Sequence, residues 1–290
     1  MTTTIVSCYY QLRQSKHSPD EYMSWITNFL VNIDTPIVMF SDGPIYDFLC
    51  DIRKQAGLFD KFYPVRKPLS ELEFSSPEWI EIWTKQVEKS NYKHLHNQEL
   101  FRIWANKSFF VCEAIEVNPF QSDYFVWCDA GCWRDPCVAK VYGKGWPSTV
   151  GFKAGCLTLL AMDNLLPLLK QLDEPGIQTL EDIVLKIPTY CRVTVGGTIL
   201  AGDKKAWQKW TPLFKDVLDI FIKNGLFAGD DQAVITSTIL GLSKIDADSC
   251  PIILNAPFGN GFVKKDGVLM GDRWFALQVF LSHEFKTLFK

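Results

Sequence analysis

Tyr124-Phe-Val-Trp-Cys-Asp129-Ala-Gly131 is the stretch of sequence that decides the fold. Its first five residues are aromatic, β-branched or small and apolar, which predicts a buried strand. The strand ends abruptly at Asp129, and the small residues Ala130 and Gly131 would let a ligand approach the backbone. Because ligands of open α/β sheets bind at the carboxyl ends of the strands, Asp129 is predicted to face a ligand.

The sequence before this strand alternates between predicted strands and helices. Ile5–Tyr10 and Pro36–Phe40 have the composition of strands, and a helix between them is predicted to begin at Ser18-Pro-Asp-Glu21. A long amphipathic helix over Asn97–Val117 leads into the strand that ends before Asp129. This β-α-β order predicts parallel strands joined by right-handed crossovers, and therefore the α/β class.

The second half of the chain has a looser pattern, with no linker, repeat or low-complexity tract at which it must divide. We therefore expect one mixed α/β domain over residues 1–290. Within it, residues 1–135 form the more regular half and residues 136–290 supply the rest of the site.

Composition excludes several classes of protein. Hydrophobic residues make up 47% of the 290 residues, which excludes a mainly disordered chain. The net charge of −3 and the pI near 5.9 argue against a nucleic-acid binder. No apolar run reaches the roughly 18–20 residues of a membrane span, and the start lacks a signal-peptide pattern. A cytoplasmic protein with reduced cysteines is therefore expected, or else a domain of a longer membrane-anchored protein.

Two acidic positions are candidates for chemistry. Asp129 is either a turn residue or a ligand for a divalent cation and the phosphates it carries. Asp230-Asp231-Gln232 opens a predicted helix, so its two acids either cap that helix or act as an acid/base pair whose mutual repulsion raises one pKa. Four basic residues lie after or near the predicted strand ends, where Arg and Lys would clamp a diphosphate: Arg13, Lys16, Lys107 and Arg134. Of these, Arg13 and Lys107 are favoured over solvated surface charges.

Several segments together resemble the HtrL/YibB (WlaTC-like) family, whose members are GT-A-type glycosyltransferase proteins. The resemblance covers most of the chain and is strongest before residue 135. The segments that carry it are Thr4–Tyr10, Lys16–Tyr22, Val38–Asp42, Ile103–Lys107, Asn118–Phe120, Tyr124–Gly131, Gly196-Gly197, Ala201-Gly202 and Asp230–Gln232.

This resemblance implies a GT-A-like mixed sheet flanked by helices, with a nucleotide-sugar-binding half (1–135) and an acceptor half (136–290). It implies transfer of a sugar, most often from a UDP-linked donor, to a glycan or other hydroxyl acceptor. The residues that it places at the donor are Ser7, Tyr9, Asp42, Lys107, Trp127, Asp129 and Gly131. It places Asp230 and Asp231 at the acceptor and the anomeric carbon as catalytic residues.

One position departs from the pattern of GT-A enzymes. Their Asp-x-Asp motif would end in a second carboxylate, and here Gly131 stands in its place. The resemblance therefore implies that Asp129 binds Mn²⁺ or Mg²⁺. Either water, Asp135, Asp272 or His283 supplies further ligands, or the enzyme depends less on metal than other GT-A enzymes do.

Three other interpretations stay open at this stage. The chain is alternatively a non-catalytic nucleotide- or carbohydrate-binding protein on the same scaffold, a nucleotide-sugar hydrolase, or a nucleotidyltransferase. Whether the sugar is transferred with inversion or retention is also open. The loop Cys132–Thr149 is a candidate lid, in which Trp133 or Trp146 would stack on a sugar.

Overall fold

A computed structural model of the protein describes residues 2–189, 194–256, 262–265 and 268–283. The helices are α1 Pro19–Asn32, α2 Gly43–Gln55, α3 Pro77–Lys89, α4 Gln98–Ala105, α5 Lys107–Val117, α6 Pro136–Tyr142, α7 Leu166–Gln171, α8 Leu180–Lys186, α9 Lys204–Lys223, α10 Asp231–Ile245 and α11 Leu277–Phe280. The strands are β1 Thr3–Cys8, β2 Ile37–Ser41, β3 Phe62–Arg66, β4 Tyr124–Cys128, β5 Thr158–Ala161, β6 Val195–Asp203, β7 Ile252–Asn255, β8 Phe262–Lys265 and β9 Val268–Asp272.

Seven strands form one mixed sheet in the order β3-β2-β1-β4-β6-β5-β7. The first four of these strands are parallel, and β6 runs antiparallel to both β4 and β5. Strands β8 and β9 pair separately. The α/β class and the mixed, helix-flanked sheet expected of a GT-A-like protein are therefore confirmed, and strands from both halves of the chain belong to the same sheet.

Each face of the sheet is covered by its own group of helices, because successive side chains of a strand point to opposite faces. Phe125 and Trp127 of β4 pack on one face with side chains of α5, α9 and α10. Val126 and Cys128 pack on the other face with side chains of α1, α2 and α6. The same alternation directs Asp129 toward the face of Trp127, where α5 and α10 begin.

Local sequence signals explain where helices start. Ser18 caps α1 through a capping box with Glu21, and Pro19 occupies the first turn, as the sequence predicts. The predicted helix over Asn97–Val117 is two helices, α4 and α5, which meet at Asn106. This break makes Lys107 the first residue of α5 rather than a residue inside a long helix. Among the described residues, no helix has both the length and the apolarity to cross a bilayer.

Candidate active site

The predicted site residues meet at the edge of the sheet where the parallel strands end. Asp129 follows β4, and its backbone N–H donates to the carbonyl oxygen of Thr198 at 2.9 Å, which holds the start of β6 beside it. Because β6 is antiparallel to β4, its first residues rather than its last lie at this edge. Asp129 and Thr198, which are 69 positions apart in the sequence (198 − 129), thus meet at this edge.

Two neighbours hold the Asp129 carboxylate. The indole Nε1 of Trp127 donates to Oδ1 at 2.7 Å, and the ammonium nitrogen of Lys107 lies 3.3 Å from Oδ1 and 3.4 Å from Oδ2. Burial raises the pKa of Asp129, Lys107 opposes this, and nearby Asp231 adds to the rise, so the net shift is upward. The side chain still keeps 29% of its surface exposed, so it remains within reach of a ligand.

Lys107 joins the two acidic segments. Its side chain is 9% exposed, and its Nζ lies 2.8 Å from Oδ2 of Asp231 and donates to the carbonyl oxygen of Gly197 at 2.7 Å. Burial alone would lower the pKa of Lys107, but Asp129 and Asp231 together raise it above the ordinary value. With acceptors in three directions, the three N–H donors of this ammonium are occupied within the protein.

Gly197 is the residue that lets α10 reach the sheet. A Cβ built at this position would lie 2.5 Å from Oδ2 of Asp231, far inside any tolerable contact. Of the two glycines Gly196 and Gly197, the second is therefore the one that makes room for the buried carboxylate of Asp231. At Gly196 the nearest atom to such a Cβ is 3.8 Å away, an ordinary contact.

Asp230 differs from its neighbour Asp231. It occupies the N-cap position of α10, yet its side chain makes no capping hydrogen bond, and it is only partly buried. Burial first, and then the charge of Asp231, raise the pKa of Asp230 to about 6. A carboxylate that ionises near neutrality and makes no hydrogen bond or ion pair with the described residues suits proton transfer better than the ion-paired Asp231 does.

The other residues predicted to bind the donor lie at the ends of β1 and β2. Tyr9 is half-buried, and its ring lies 5.7 Å from that of Tyr22. Asp42 is the N-cap of α2 and makes no side-chain capping bond there. Arg13 is exposed in the loop before α1. The hydroxyl of Ser7 is fully buried and donates to the carbonyl oxygen of Cys128 at 2.6 Å, so it ties β1 to β4.

Gly131 faces α1 rather than the carboxylates. A Cβ at this position would lie 3.3 Å from Cε1 of Tyr22 and 3.5 Å from Cε3 of Trp25. Both residues lie on α1, and neither of them has a role in the site predicted from the sequence. Only their contact with Gly131 in the fold, which no spacing rule reveals, brings them to this edge.

The described residues can contribute a single exposed carboxylate, that of Asp129, to a metal site. They contain no group of three or more His, Cys, Asp or Glu side chains that could hold a metal. Asp135 caps α6, and Asp272 accepts from the backbone N–H of Trp274, so neither faces Asp129 as a helper. His283 lies against Gly145. One exposed carboxylate suits a divalent cation that arrives on substrate phosphates, since Mg²⁺ is commonly held by one or two carboxylates plus phosphates.

The expected sugar-stacking role of Trp133 or Trp146 is wrong. Both side chains are fully buried, and their rings meet edge to face with centroids 5.2 Å apart. They form part of the core between α1 and α6 and offer no face to a ligand. The eight cysteines in the described part of the chain are free thiols, as expected for reduced cysteines.

Comparisons with known proteins add a family and similar folds to this geometry. A search among curated proteins finds no match. One similar solved structure is core-mannan synthase A from Aspergillus fumigatus in a Mn/GDP form, with 13% identity, a TM-score of 0.46, and coverage of 96% of this chain and 82% of that chain. Another is mouse xyloside xylosyltransferase 1 in its apo form, with 8% identity, a TM-score of 0.44, and coverage of 88% and 85%. The family model described as a bacterial protein of unknown function, HtrL/YibB, matches residues 2–245, and the chain therefore belongs to the HtrL/YibB family.

Proposed function

We propose that the chain is a glycosyltransferase that moves a sugar from a nucleotide diphosphate donor, with UDP-sugars as the first candidates, to a hydroxyl group of a glycan or similar acceptor. One observation carries the proposal. At the carboxyl edge of the sheet, the buried ammonium of Lys107 pairs with the partly exposed carboxylate of Asp129 and with Asp231 at the start of α10. Asp230, which directly precedes Asp231, has a raised pKa of about 6. The residues that act on the donor and those that act on the acceptor would thus be held together by the ion pairs of Lys107.

Each residue has a distinct task in this mechanism. Asp129 would hold the Mn²⁺ or Mg²⁺ ion that accompanies the diphosphate, and such an ion neutralises the charge that develops on the leaving group. Trp127 and Lys107 fix the orientation of that carboxylate through the bonds described above. Asp231 is buried and paired with Lys107, so it positions the start of α10 beside the donor.

Asp230 is the proposed proton acceptor. The bond between the anomeric carbon and the diphosphate oxygen breaks, and its electron pair leaves with the diphosphate. The acceptor oxygen forms the new bond to the anomeric carbon. In an inverting reaction its proton passes to Asp230. In a retaining one it passes to the departing diphosphate, and Asp230 holds the acceptor.

The decisive experiment is product analysis with a panel of UDP- and GDP-sugars and Mn²⁺, with and without glycan acceptors. We expect sugar transfer by the wild type and a loss of about 10²- to 10⁴-fold in kcat for Asp230→Asn. Asp51→Asn, at an exposed acid of α2, is the matched control and should leave kcat unchanged. The anomeric configuration of the product, read by NMR, decides between inversion and retention.

The main competing function is nucleotide or carbohydrate binding without turnover. The observation that favours it is the single carboxylate at Asp129, since Gly131 replaces the second acid of the motif. Binding of a nucleoside diphosphate with no sugar release from any donor would favour it. Sugar release without an acceptor, at the same rate as with one, would favour a hydrolase. Absence of nucleotide binding in every condition would contradict the proposal altogether.

A further inference from the structure

A cluster of aromatic rings and one guanidinium group lies beside Asp129, and the mechanism proposed above uses none of its members. We call it the Arg134 cluster. Its members come from the end of β1, the loop and helix that follow, the turn after β4, and the short 3-10 turn 273–275. They are Tyr9, His17, Tyr22, Trp25, Arg134 and Phe275.

Arg134 is held firmly within this cluster. Its Cζ lies 4.3 Å from the ring centroid of Trp25 and 4.9 Å from that of Phe275. Its Nε donates to the carbonyl oxygen of Gly131 at 3.3 Å. Stacking and this hydrogen bond fix the plane of the guanidinium, which reduces the conformational entropy that binding a ligand would otherwise cost.

The outer nitrogens of Arg134 remain available. Within the part of the chain that the structure describes, its two Nη atoms make no hydrogen bond or ion pair, and the residue is only partly buried. Two parallel N–H donors of this kind match the oxygens of a phosphate group. Burial and then the charge of Arg134 lower the pKa of His17, so Arg134 is the cationic member of the cluster at neutral pH.

Two observations place the Arg134 cluster close to Asp129. Arg134 bonds to the carbonyl of Gly131, two residues beyond Asp129. Burial raises the pKa of Tyr22, while Arg134 lowers it and Asp129 raises it, so the phenol of Tyr22 lies within electrostatic range of both groups. The donors of Lys107, by contrast, already have acceptors inside the protein.

We propose that Arg134 binds the phosphate groups of the nucleotide donor beside Asp129 and stabilises the diphosphate as it leaves. The proposal rests on the proposed function, because it supplies the protein cation for the same donor. It assigns the contact with the leaving group to the turn after β4, and it leaves Lys107 to hold the two carboxylates together.

Calorimetric titration with UDP and GDP, and with uridine and guanosine, tests this role in the full-length protein. We expect Arg134→Gln to weaken binding of the nucleoside diphosphate by about 10- to 100-fold, and to leave any binding of the nucleoside unchanged. Arg134→Lys keeps the charge but loses the planar pair of donors, and it should weaken binding by about 3- to 10-fold.

Arg66→Gln is the matched control. Arg66 also stacks on a ring, that of Tyr46 at 4.2 Å, but its charge is paired with Asp47. It ends β3, three strand positions from β4 and hence about 14 Å away across the sheet. Its replacement should leave nucleotide affinity unchanged, and thermal unfolding reports whether each variant is folded.

The outcomes separate this inference from the proposed function. Wild-type affinity for the diphosphate in a folded Arg134→Gln, or in Arg134→Lys if the first variant does not fold, would overturn the inference and leave the proposed function standing. An equal loss of nucleoside binding would also overturn it, because Arg134 would then act on the structure as a whole. Arg134-dependent diphosphate binding without sugar transfer would uphold the inference and contradict the activity. If the wild type binds neither UDP nor GDP, the inference about Arg134 and the proposed function are both contradicted.

Discussion

At the scale of single residues, Lys107 determines the electrostatics of the site. Two buried or partly buried carboxylates share its ammonium, and in the described part of the chain neither carboxylate is paired with another cation. Removal of one partner from a buried ion pair usually costs far more than the pair itself contributes, because a charge is left without compensation.

Lys107→Met should therefore destabilise the fold by about 3–5 kcal/mol at pH 7. The loss should be smaller at pH 5, because burial raises the pKa of Asp129 and its carboxyl takes up a proton more readily once the ammonium is removed. It should also be smaller in the double variant Lys107→Met with Asp231→Asn. Urea unfolding at both pH values measures it. Lys85→Met, which breaks the exposed pair with Glu81, should cost no more than about 1 kcal/mol and serves as the control. A cost below about 1 kcal/mol for Lys107→Met would show that the ammonium is not needed there.

Asp230 links stability to activity. Its pKa of about 6 in the folded protein lies above the ordinary value of 3.8, so ionisation above pH 6 favours the unfolded state by at most about 3 kcal/mol, and by less because the side chain is partly exposed. Asp230→Asn should therefore be more stable than the wild type above pH 6. Most of the difference should be gone near pH 4, where the carboxyl is protonated in the folded protein and partly protonated in the unfolded chain. Urea unfolding at pH 4 and pH 7.5 checks this. In the wild type kcat/KM should rise with pH through about 6. A stability difference that does not depend on pH would contradict the raised pKa.

At the scale of elements, a strand and a turn each approach a neighbouring helix at a glycine, because the glycine has no side chain. β6 approaches α10 because Gly197 has no side chain, and the turn after β4 approaches α1 because Gly131 has none. In both cases the glycine is explained by a neighbour distant in sequence rather than by a positive φ.

Gly197→Ala should separate β6 from the start of α10. The added Cβ would lie 2.5 Å from the Asp231 carboxylate, so either the strand or the helix must shift, at a cost of about 1–3 kcal/mol. Gly196→Ala is the matched control in the same strand and should change the free energy of unfolding by about 0.5 kcal/mol or less. Urea unfolding of both variants measures the contrast, and equal effects would contradict the close approach.

Gly131→Asp should fail to build a second metal ligand. The new side chain would start 3.3 Å from Tyr22 and be directed at the rings of α1, away from the carboxylate of Asp129. We expect lower stability and no gain in Mn²⁺ affinity, measured by calorimetry without nucleotide. Tighter Mn²⁺ binding in this variant would show that position 131 does face the metal site.

At the scale of the whole molecule, both halves of the chain build one sheet. β4 belongs to residues 1–135 but pairs with β6, and α5 packs against α9 of the second half. The division into a donor half and an acceptor half is thus a prediction about function, and no boundary in the sheet corresponds to it.

A fragment of residues 1–135 should therefore not fold alone. It would expose Trp127, Phe110 and the face of β4 that β6 and α9 cover in the whole chain. Circular dichroism and thermal unfolding of the fragment check this, with the full chain as control. A cooperative transition in the fragment would show that the donor half is an independent unit.

Local patterns in the sequence determined much of this protein. The Tyr124–Cys128 strand, the start of α1 at Ser18, the α/β class and the candidate acids Asp129, Asp230 and Asp231 all follow from composition and spacing, because burial alternation and helix capping are local effects. Tertiary structure alone decided that Lys107 lies between Asp129 and Asp231, that Gly197 admits Asp231, and that Trp133 and Trp146 are core residues. It alone also decided that Arg134 stacks on Trp25 and Phe275. These facts depend on contacts between segments far apart in the chain, and such contacts form only when the sheet brings its strand ends to one edge.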